Sequence, residues 1–521
     1  MSGDLLVGLD AGTSVIKAVA FTTAGEQVGT AAIANAYART PDGGAEQDMA
    51  RTWADAARTL RLLAGRVPDL ARRLVVVAVT GQGDGTWLVD GAGDPVGAAW
   101  LWLDARAAPL VEEIRAGAAD AARFAATGTG LAACQQGAQL AWMRRHRPEL
   151  PAAAAAALHC KDWLYLRLTG RCATDPSEGT LTFGDFRTRA YSDAAIDALG
   201  IGPLRRLLPP IVDGAVHHDP LTPAAARATG LRAGTPVVLG YIDIACSLLG
   251  AGLYDGDGGT GCSVLGSTGI HARLARDAGA VSLTPARTGY TIALPVAGAY
   301  AQMQSNLAAT LNIDWMLDLI AGVLRAAGVE RDRGSLIAGL DDLVEAAAPG
   351  TLLFHPYIAD GGERGPFIDA AARAGFYGLS ARHGHGDLVR GIYEGLGFAA
   401  RDCYGAMGGI PAEVRLSGGA ARSRALRAIT AAALGVPVRV SARAEAGAAG
   451  AAMIAAVALG VHRDMDACVG EWVRPLLGAA QPPDAGLAAR YARLFPSYLQ
   501  AREAMAPVWR SLAACGRGAD G

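Results

Sequence analysis

The sequence predicts an α/β protein built from two domains. Its 521 residues exceed what one hydrophobic core usually supports. Apolar runs with the spacing of strands, such as residues 73–81, alternate with segments of helical spacing, such as residues 157–170. A glycine turn between two strand-like runs occurs near the N-terminus and again about half a chain later. We therefore expect two α/β halves, residues 1–250 and 251–521, whose glycine turns face a shared cleft.

The first predicted hairpin joins two strand-like runs through the turn residues Gly12, Thr13 and Ser14. Small residues and hydroxyls at a turn allow backbone N–H groups to approach a phosphate closely, although an ordinary tight turn explains them about equally well. Asp10 favours the phosphate interpretation with a cation such as Mg²⁺ in between, because a carboxylate alone repels phosphate. Lys17 would neutralise phosphate charge, or it is a surface lysine on the second strand.

The second half contains a similar Gly-Thr-Gly segment, and its turn is predicted at Thr260 and Gly261. A strand–turn–helix–strand pattern follows over residues 414–440, with the small turn residues Gly418, Gly419 and Ala420. Ligands of α/β proteins bind where a strand leads into a helix N-terminus.

The small-residue run 446–461 is too short for a membrane span and predicts a helix packed closely against a neighbour. Residues after about 480 predict a helical tail.

Composition excludes several classes of function. The 47 basic and 49 acidic residues nearly cancel, so no basic stripe indicates nucleic acid or an anionic membrane surface. The 8 cysteines are widely spaced without a Cys-x-x-Cys pair, which favours a reducing cytoplasm over a zinc site or a disulfide framework. We see no secretory signal and no G-x-x-x-x-G-K-[ST] loop, so a P-loop nucleotide site is not expected.

Six segments in register resemble the motifs of the FGGY carbohydrate kinases: GLDAGTSVIKAVAF, GYIDIACSLLGAG, GGTGCSVLGSTG, GLSARHGHGDLVRGIYEGLGF, SGGAARSRALR and EAGAAGAAMIAA. The resemblance spans nearly the whole chain. It implies two actin-like (ribonuclease H-like) ATPase domains flanking a central cleft. It also implies that ATP binds mainly to the C-terminal domain, that the sugar or polyol binds to the N-terminal domain, and that hinge closure brings them together.

Further segments, among them VTGQGDGTWLV, WLWLDARAAP, CQQGAQLAWM and HPYIADGGERGPF, are most similar to the erythritol kinase branch of the family. This resemblance implies ATP-dependent phosphorylation of erythritol to erythritol 4-phosphate. The expected cofactors are ATP and Mg²⁺.

The resemblance implies a role for each matched residue. Asp243 in GYIDIACS corresponds to the catalytic base, although an aspartate before an apolar helix is otherwise most often an N-cap. Asp10 and Asp243 are the expected Mg²⁺ partners, with Asp10 acting through water. The expected ATP and phosphate contacts are Gly12, Thr13, Ser14, Lys17, Thr260, Gly261, Gly418, Gly419 and Ala420.

The expected substrate contacts are Gln82, Asp84, Trp102, Gln135, Gln136 and Asp243. Asp84 can accept hydrogen bonds from two neighbouring hydroxyls, or it is a solvated turn residue. Trp102 would supply an apolar wall for the carbon chain, or it belongs to a core. Glycerol kinases carry Arg-Glu where this chain has Gly83-Asp84, which opens space and disfavours glycerol.

Alternatives remain open at this point. A kinase for another polyol or a ketose, of the glycerol, xylulose or xylitol type, belongs to the same class. An actin-like ATPase that uses nucleotide to switch shape would share the phosphate hairpins but would not need the Asp243 segment. A homodimer is left open. Glu363 and Arg364 are interpreted as a structural ion pair beside the cleft.

Overall fold

The computed structural model describes residues 4–255 and 259–517. The strands of the N-terminal half are β1 (Leu5–Ala11), β2 (Val15–Thr22), β3 (Gln27–Ala34), β4 (Ala38–Arg39), β5 (Ala45–Gln47), β6 (Leu74–Gly81), β7 (Trp87–Val89), β8 (Ala99–Trp100), β9 (Ala156–Leu158), β10 (Gly184–Asp185), β11 (Ala190–Tyr191), β12 (Asp219–Pro220) and β13 (Pro236–Leu239). Its helices are α1 (Met49–Arg66), α2 (Leu70–Arg73), α3 (Ala108–Ala116), α4 (Ala119–Thr127), α5 (Gln136–His146), α6 (Glu149–Ala153), α7 (Cys160–Thr169), α8 (Pro176–Leu181), α9 (Asp193–Ala198), α10 (Pro223–Thr229) and α11 (Asp243–Ala251).

The strands of the C-terminal half are β14 (Thr260–Leu265), β15 (Gly269–Ala275), β16 (Tyr290–Ala293), β17 (Tyr300–Asn306), β18 (Leu353–His355), β19 (Gly375–Tyr377), β20 (Glu413–Ser417) and β21 (Val438–Val440). Its helices are α12 (Thr310–Ala326), α13 (Arg333–Ala338), α14 (Leu340–Ala346), α15 (His385–Ala406), α16 (Arg424–Leu434), α17 (Ala446–Ala458), α18 (Met465–Trp472) and α19 (Ala485–Arg517). Short 3-10 helices cover Gly202–Leu207, Ala278–Ala280, Gly419–Arg422 and Arg474–Leu476.

The two large sheets share an order of five strands. The N-terminal sheet runs β12-β13-β6-β1-β2-β3, and the C-terminal sheet, read from its opposite edge, runs β21-β20-β14-β15-β17-β16. The shared part is β13-β6-β1-β2-β3 in the first sheet and β21-β20-β14-β15-β17 in the second. In both, the first strand of the half pairs antiparallel with the second and parallel with a later strand. The central parallel strand β6 is apolar and buried on both faces throughout its length, whereas β20 in the C-terminal sheet carries Glu413 and Arg415. The prediction of two α/β halves is confirmed.

Two small-residue helices hold the halves together. α11 follows the last strand of the N-terminal sheet and α17 follows the last strand of the C-terminal sheet. A Cβ at Gly250 would lie 2.2 Å from the Ala446 carbonyl oxygen, and one at Gly450 would lie 2.0 Å from that of Cys246. α17 also reaches the N-terminal sheet, since a Cβ at Gly8 would lie 2.1 Å from the Ala448 carbonyl oxygen. The helix predicted in residues 446–461 is confirmed, and its glycines permit backbone-to-backbone packing.

The predicted helical tail is the long helix α19, which packs on the C-terminal domain. Its Tyr491 and Tyr498 are fully buried among aromatic side chains that include Phe398. Over residues 4–255 and 259–517, none of the helices combines the length and the apolar character needed to cross a bilayer.

Candidate functional site

A cavity of about 240 Å³ lies between the two domains. The N-terminal half contributes Gly83, Asp84, Trp102, Cys134, Leu181, Ile242, Asp243 and Ile244 to its lining. The C-terminal half contributes Thr268, Ile270, Tyr290, Ile292, Met303, Ser305 and Arg364. The volume corresponds to about eight water molecules at ~30 Å³ each, so the cavity suits a small molecule with several polar groups.

Asp243 is the first residue of α11 and faces this cavity. The chain reaches it directly from β13, so the carboxylate stands at the end of the sheet where the strand turns into the helix. Its Oδ1 accepts a hydrogen bond from the Ile244 N–H at 2.7 Å. Burial, together with the negative charge of Asp10, raises the pKa of Asp243 to about 7. A carboxylate with this pKa can take a proton from a hydroxyl near neutral pH.

Asp10 lies near the end of β1, opposite Lys17 on β2. Burial raises its pKa to about 6, against the opposing effect of the nearby Lys17. The Lys17 ammonium is already paired with Glu445, at 2.9 Å, immediately before α17. A Cβ at Gly447 would lie 2.4 Å from Asp10 Oδ2, so the glycine lies directly against this carboxylate and a larger residue would displace it. The N-terminus of a C-terminal-domain helix therefore covers one side of the first hairpin.

The predicted turn of Gly12, Thr13 and Ser14 joins β1 to β2. Thr13 Oγ1 donates to Gln82 Oε1 at 2.9 Å and accepts from the Trp102 indole N–H at 2.8 Å. Gln82 in turn donates to Gln47 Oε1 at 2.7 Å and is buried. The hairpin turn is thus connected by hydrogen bonds to the wall of the cavity, and Gln82 lies behind that wall.

Asp84 and Trp102 line the cavity with Asp243, as the sequence prediction requires of residues that share one ligand. Asp84 occupies the left-handed region with φ of 54°, a conformation that aspartate tolerates in turns. Its Oδ2 accepts a weak hydrogen bond from Cys134 Sγ at 3.6 Å. Burial raises the pKa of Asp84, partly offset by His159, Cys134 and Arg364.

Gln135 and Gln136 lie close to the site but are not part of the cavity lining. Gln135 is fully buried, accepts from the Ala132 N–H and donates to the Gly130 carbonyl. Gln136 donates to the Leu158 carbonyl at 2.8 Å. Both amides bind backbone groups, so in this structure they order the loop that carries Cys134.

The turn of the second hairpin differs from the prediction. Thr260 and Gly261 begin β14, and the turn lies at residues 266–268. Thr260 is buried and donates to the Asp255 carbonyl, at the end of β14 away from the turn. The prediction of a turn at Thr260 was wrong because GGTGCSVLGSTG contains two glycine–hydroxyl segments, and the apolar run between them is the strand. Thr268, from the second segment, lines the cavity.

The small residues Gly418, Gly419 and Ala420 follow β20 and enter a short 3-10 helix. Gly418 has φ of 88°, and a Cβ there would lie 2.6 Å from the Leu265 carbonyl oxygen. This turn therefore lies directly beside the end of β14, where the second hairpin turn begins. Of the contacts predicted in the C-terminal domain, Gly418, Gly419 and Ala420 lie at this edge of the sheet, and Thr260 and Gly261 lie at the opposite end of β14.

Several cavity residues were missed by sequence reasoning: Cys134, Thr268, Tyr290, Ser305 and Arg364. Arg364 was interpreted as the partner of Glu363, but its guanidinium donates to Ser305 Oγ at 2.8 Å and faces the cavity. Glu363 Oε1 instead accepts from the Leu307 and Arg364 backbone N–H groups. The run Gly-Gly-Glu-Arg-Gly-Pro was the available signal, since a charged pair between glycines indicates a shaped loop.

The chain matches two domains of one protein family and has relatives of known activity. Residues 5–250 match the N-terminal domain of the FGGY family of carbohydrate kinases, and residues 259–459 match its C-terminal domain. The chain is 56% identical over 511 residues to an erythritol kinase of Brucella abortus (strain 2308), covering 98% of each chain. It is 28% identical over 423 residues to a xylulose kinase of Escherichia coli (strain K12), covering 80% of this chain and 82% of the relative.

Solved structures share the complete fold. A xylulose kinase from Rhodospirillum rubrum superposes with a TM-score of 0.86 at 27% identity, covering 97% of this chain and 100% of the other. A gluconate kinase from Lactobacillus acidophilus has a TM-score of 0.86 at 21% identity over 98% and 99% of the two chains. Together with the repeated sheet order, these similarities confirm the predicted fold of two actin-like (ribonuclease H-like) domains flanking a central cleft. The chain belongs to the FGGY family of carbohydrate kinases.

Proposed function

We propose that this protein transfers the γ-phosphoryl group of ATP to a primary hydroxyl of a small polyol, with erythritol as the preferred substrate and erythritol 4-phosphate as the product. The observation that carries the proposal is the pair of carboxylates, Asp84 and Asp243, that share one small interdomain cavity. The 56% identity to an erythritol kinase over nearly the whole chain supports erythritol as the particular substrate.

In this proposal Asp243 is the general base. A primary alcohol is a weak nucleophile at neutral pH, and a positioned base typically contributes about 10²- to 10⁴-fold to the rate. With a pKa of about 7, Asp243 is partly ionised at neutral pH and is basic enough to accept the hydroxyl proton. The alkoxide-like oxygen then attacks the γ-phosphorus in line with the leaving ADP oxygen, and the proton remains on Asp243 until product leaves.

The polyol would lie against the N-terminal side of the cavity. Asp84 would accept from neighbouring hydroxyls, and the Trp102 ring, held by its bond to Thr13, would cover the carbon chain. Arg364 and Ser305 add hydrogen-bond donors from the C-terminal side. We therefore assign polyol binding mainly to residues 1–250 and ATP binding mainly to residues 251–521.

ATP would span the two hairpins. We assign its phosphates to the first turn, Gly12 to Ser14, and to the second turn at residues 266–268, which replaces Thr260 and Gly261 in this role. Gly418 to Ala420 would accommodate the adenosine, because small residues leave room against the backbone. Lys17 would contribute only after separating from Glu445.

The half-buried carboxylates of Asp10 and Asp243 fit a magnesium ion that is held partly by water. Asp10 raises the pKa of Asp243, so two like charges lie close together and a cation between them would relieve their repulsion. Within residues 4–255 and 259–517 no group of three or more His, Cys, Asp and Glu side chains could hold a metal, and Mg²⁺ commonly uses one or two carboxylates with substrate phosphates. When bound, Mg²⁺ would neutralise charge on the β- and γ-phosphates.

We propose a cytoplasmic setting on the basis of composition. All 8 cysteines are free thiols in the structure, in keeping with a reducing cytoplasm. The near balance of charge favours a small-molecule substrate over nucleic acid or a membrane surface. A homodimer remains a proposal that gel filtration with light scattering would test.

A substrate panel tests the proposed function. ADP release and phosphorylated product would be measured with ATP, Mg²⁺ and a series of three- to six-carbon polyols and ketoses. We expect the highest kcat/KM with erythritol. A glycerol or ketose preference of about tenfold, which is ~1.4 kcal/mol of transition-state binding, would overturn the assignment of substrate. ATP hydrolysis that no polyol stimulates would instead indicate a nucleotide-driven switch.

A further inference from the structure

A buried ionic cluster lies behind the turn that carries Asp243. It consists of His159, Lys161, Asp162, Asp175 and Glu178, each at most 4% exposed. Lys161 Nζ contacts Asp162 Oδ1 and Asp175 Oδ1, both at 2.6 Å. Withdrawing so many charges from water is costly, and apolar side chains would stabilise a core of this kind at least as well. The cluster therefore needs an explanation other than stability.

The cluster is joined to the Asp243 turn through one hydroxyl group. Asp175 is the N-cap of α8, and its Oδ2 accepts from the Ser177 N–H at 2.7 Å and from Ser177 Oγ at 2.5 Å. Ser177 Oγ in turn accepts from the Ile242 N–H at 2.9 Å. A continuous path therefore runs from the Lys161 ammonium to the backbone of Ile242, the residue immediately before the proposed base.

Ser177 is one of several groups that hold the segment between β13 and α11. The Gly240 N–H donates to the Val79 carbonyl at 2.8 Å and fixes the end of the strand. The next peptide, between Tyr241 and Ile242, is held on its carbonyl side by Thr80 Oγ1 at 2.7 Å and on its N–H side by Ser177 Oγ at 2.9 Å. Without the Ser177 hydroxyl, the buried Ile242 N–H would lose the acceptor that it has in this structure, and the segment would shift to recover one.

A shift of Ile242 would affect both carboxylates of the cavity. A Cβ at Gly83 would lie 2.0 Å from Ile242 Cδ1, so this side chain packs directly against the residue before Asp84. The Gly83 backbone also donates a hydrogen bond that lowers the pKa of Asp243. Ile242 is therefore a shared support of the turn bearing Asp84 and the turn bearing Asp243.

We propose that Ser177, oriented by Asp175 and Lys161, is a positioning residue for Asp243 and sets the geometry of proton removal from the substrate. This inference rests on the proposed role of Asp243 as general base. Ser177 is buried behind the turn and is absent from the cavity lining, so it acts through the backbone of Ile242.

The test compares Ser177→Ala with Thr180→Val in the full-length enzyme. Thr180 is a matched control because it is a buried hydroxyl on the same helix, and it donates only to the Pro176 carbonyl. We expect Ser177→Ala to lower kcat about tenfold to a hundredfold, because small displacements of reacting groups have effects of this size. We expect KM for ATP and for polyol to change less than about threefold, and Thr180→Val to retain wild-type kcat.

A double-mutant cycle with Asp243→Asn distinguishes an effect of Ser177 on Asp243 from a loss of activity caused by a structural disturbance elsewhere in the protein. If Ser177 acts through Asp243, Ser177→Ala should cause little further loss of kcat in the Asp243→Asn background. Equal losses in both backgrounds, or equal losses for Ser177→Ala and Thr180→Val, would overturn the inference. If Asp243→Asn itself retained turnover, the proposed base would fail instead. Denaturant unfolding of each variant would correct kcat for the folded fraction, and Ser177→Thr should restore turnover by returning the hydroxyl.

Discussion

The two hairpins share their topology and differ in charge. Three residues separate the two strands of each hairpin, Gly12 to Ser14 between β1 and β2 and residues 266–268 between β14 and β15. The next-to-last residue of β1, Asp10, pairs with Lys17, whereas the next-to-last residue of β14, Val264, pairs with Ile270. The repeated fold therefore supplies two corresponding turns, and of these two the first alone has a carboxylate at this position.

The helices that follow the two sheets differ in the same way. α11 begins with Asp243, whose carboxylate faces the cavity, while Glu445 before α17 is paired with Lys17. The Asp243 carboxylate is therefore free to contact a ligand in the cavity, whereas the Glu445 carboxylate forms an ion pair that connects the two domains. We infer that the N-terminal half supplies proton and metal chemistry and that the C-terminal half supplies a neutral phosphate site.

Removing the acid at α11 should have the largest effect. We expect Asp243→Asn to lower kcat by about 10²- to 10⁴-fold, because an amide cannot accept the hydroxyl proton. KM for ATP should change little, and steady-state kinetics of ADP release would measure both parameters. Asp213→Asn is the matched control, since Asp213 accepts from the Tyr241 hydroxyl on the same segment at 2.9 Å. Turnover that survives in Asp243→Asn would remove the base assignment.

Protein stability provides the folding control for this variant. The pKa of Asp243 is about 7 in the folded protein and near 3.8 in the unfolded chain, so the fold loses stability as pH rises from about 4 to about 7 and the carboxylate becomes ionised in the folded state. Asp243→Asn lacks this charge, and its free energy of unfolding should exceed that of the wild type by more at pH 8 than at pH 4. A variant that is inactive yet more stable at pH 8 would exclude unfolding as the cause.

The fold could be predicted from the sequence because strand periodicity and small-residue turns are local signals. Asp10 could be selected from its place beside a glycine turn, whereas Asp84 and Asp243 were assigned through the family resemblance, because the local pattern alone also fits a solvated turn residue and a helix N-cap. For Arg364 the glycine-rich run predicts a shaped loop, but it gives no sign that this loop reaches the cavity. Gln135 and Gln136 were predicted as substrate contacts, but their amides bind backbone carbonyls. The sequence of a matched segment does not show whether a side-chain amide contacts a ligand or the backbone.

Making the second hairpin acidic should have the next largest effect. Val264 lies opposite the cavity residue Ile270, and opposite residues of antiparallel strands share a face. Val264→Asp would add a carboxylate with no lysine across from it, close to the proposed phosphate turn. We expect KM for ATP to rise about tenfold, or ~1.4 kcal/mol, with a smaller change for polyol. Val264→Asn tests polarity without charge, and equal effects of the two variants would exclude electrostatic repulsion.

Neutralising the first hairpin should have the smallest measured effect, a displacement of the acid limb of the pH profile. Burial and the negative charge of Asp10 raise the pKa of Asp243 to about 7, so Asp10→Asn removes a like charge and should lower that pKa. Because the base acts when ionised, the fall of kcat/KM on acidification should begin at lower pH in the variant, whatever its absolute rate. Asp213→Asn should leave the limb in place. A limb that stays at the wild-type pH, or moves upward, would show that the two carboxylates do not share one electrostatic site.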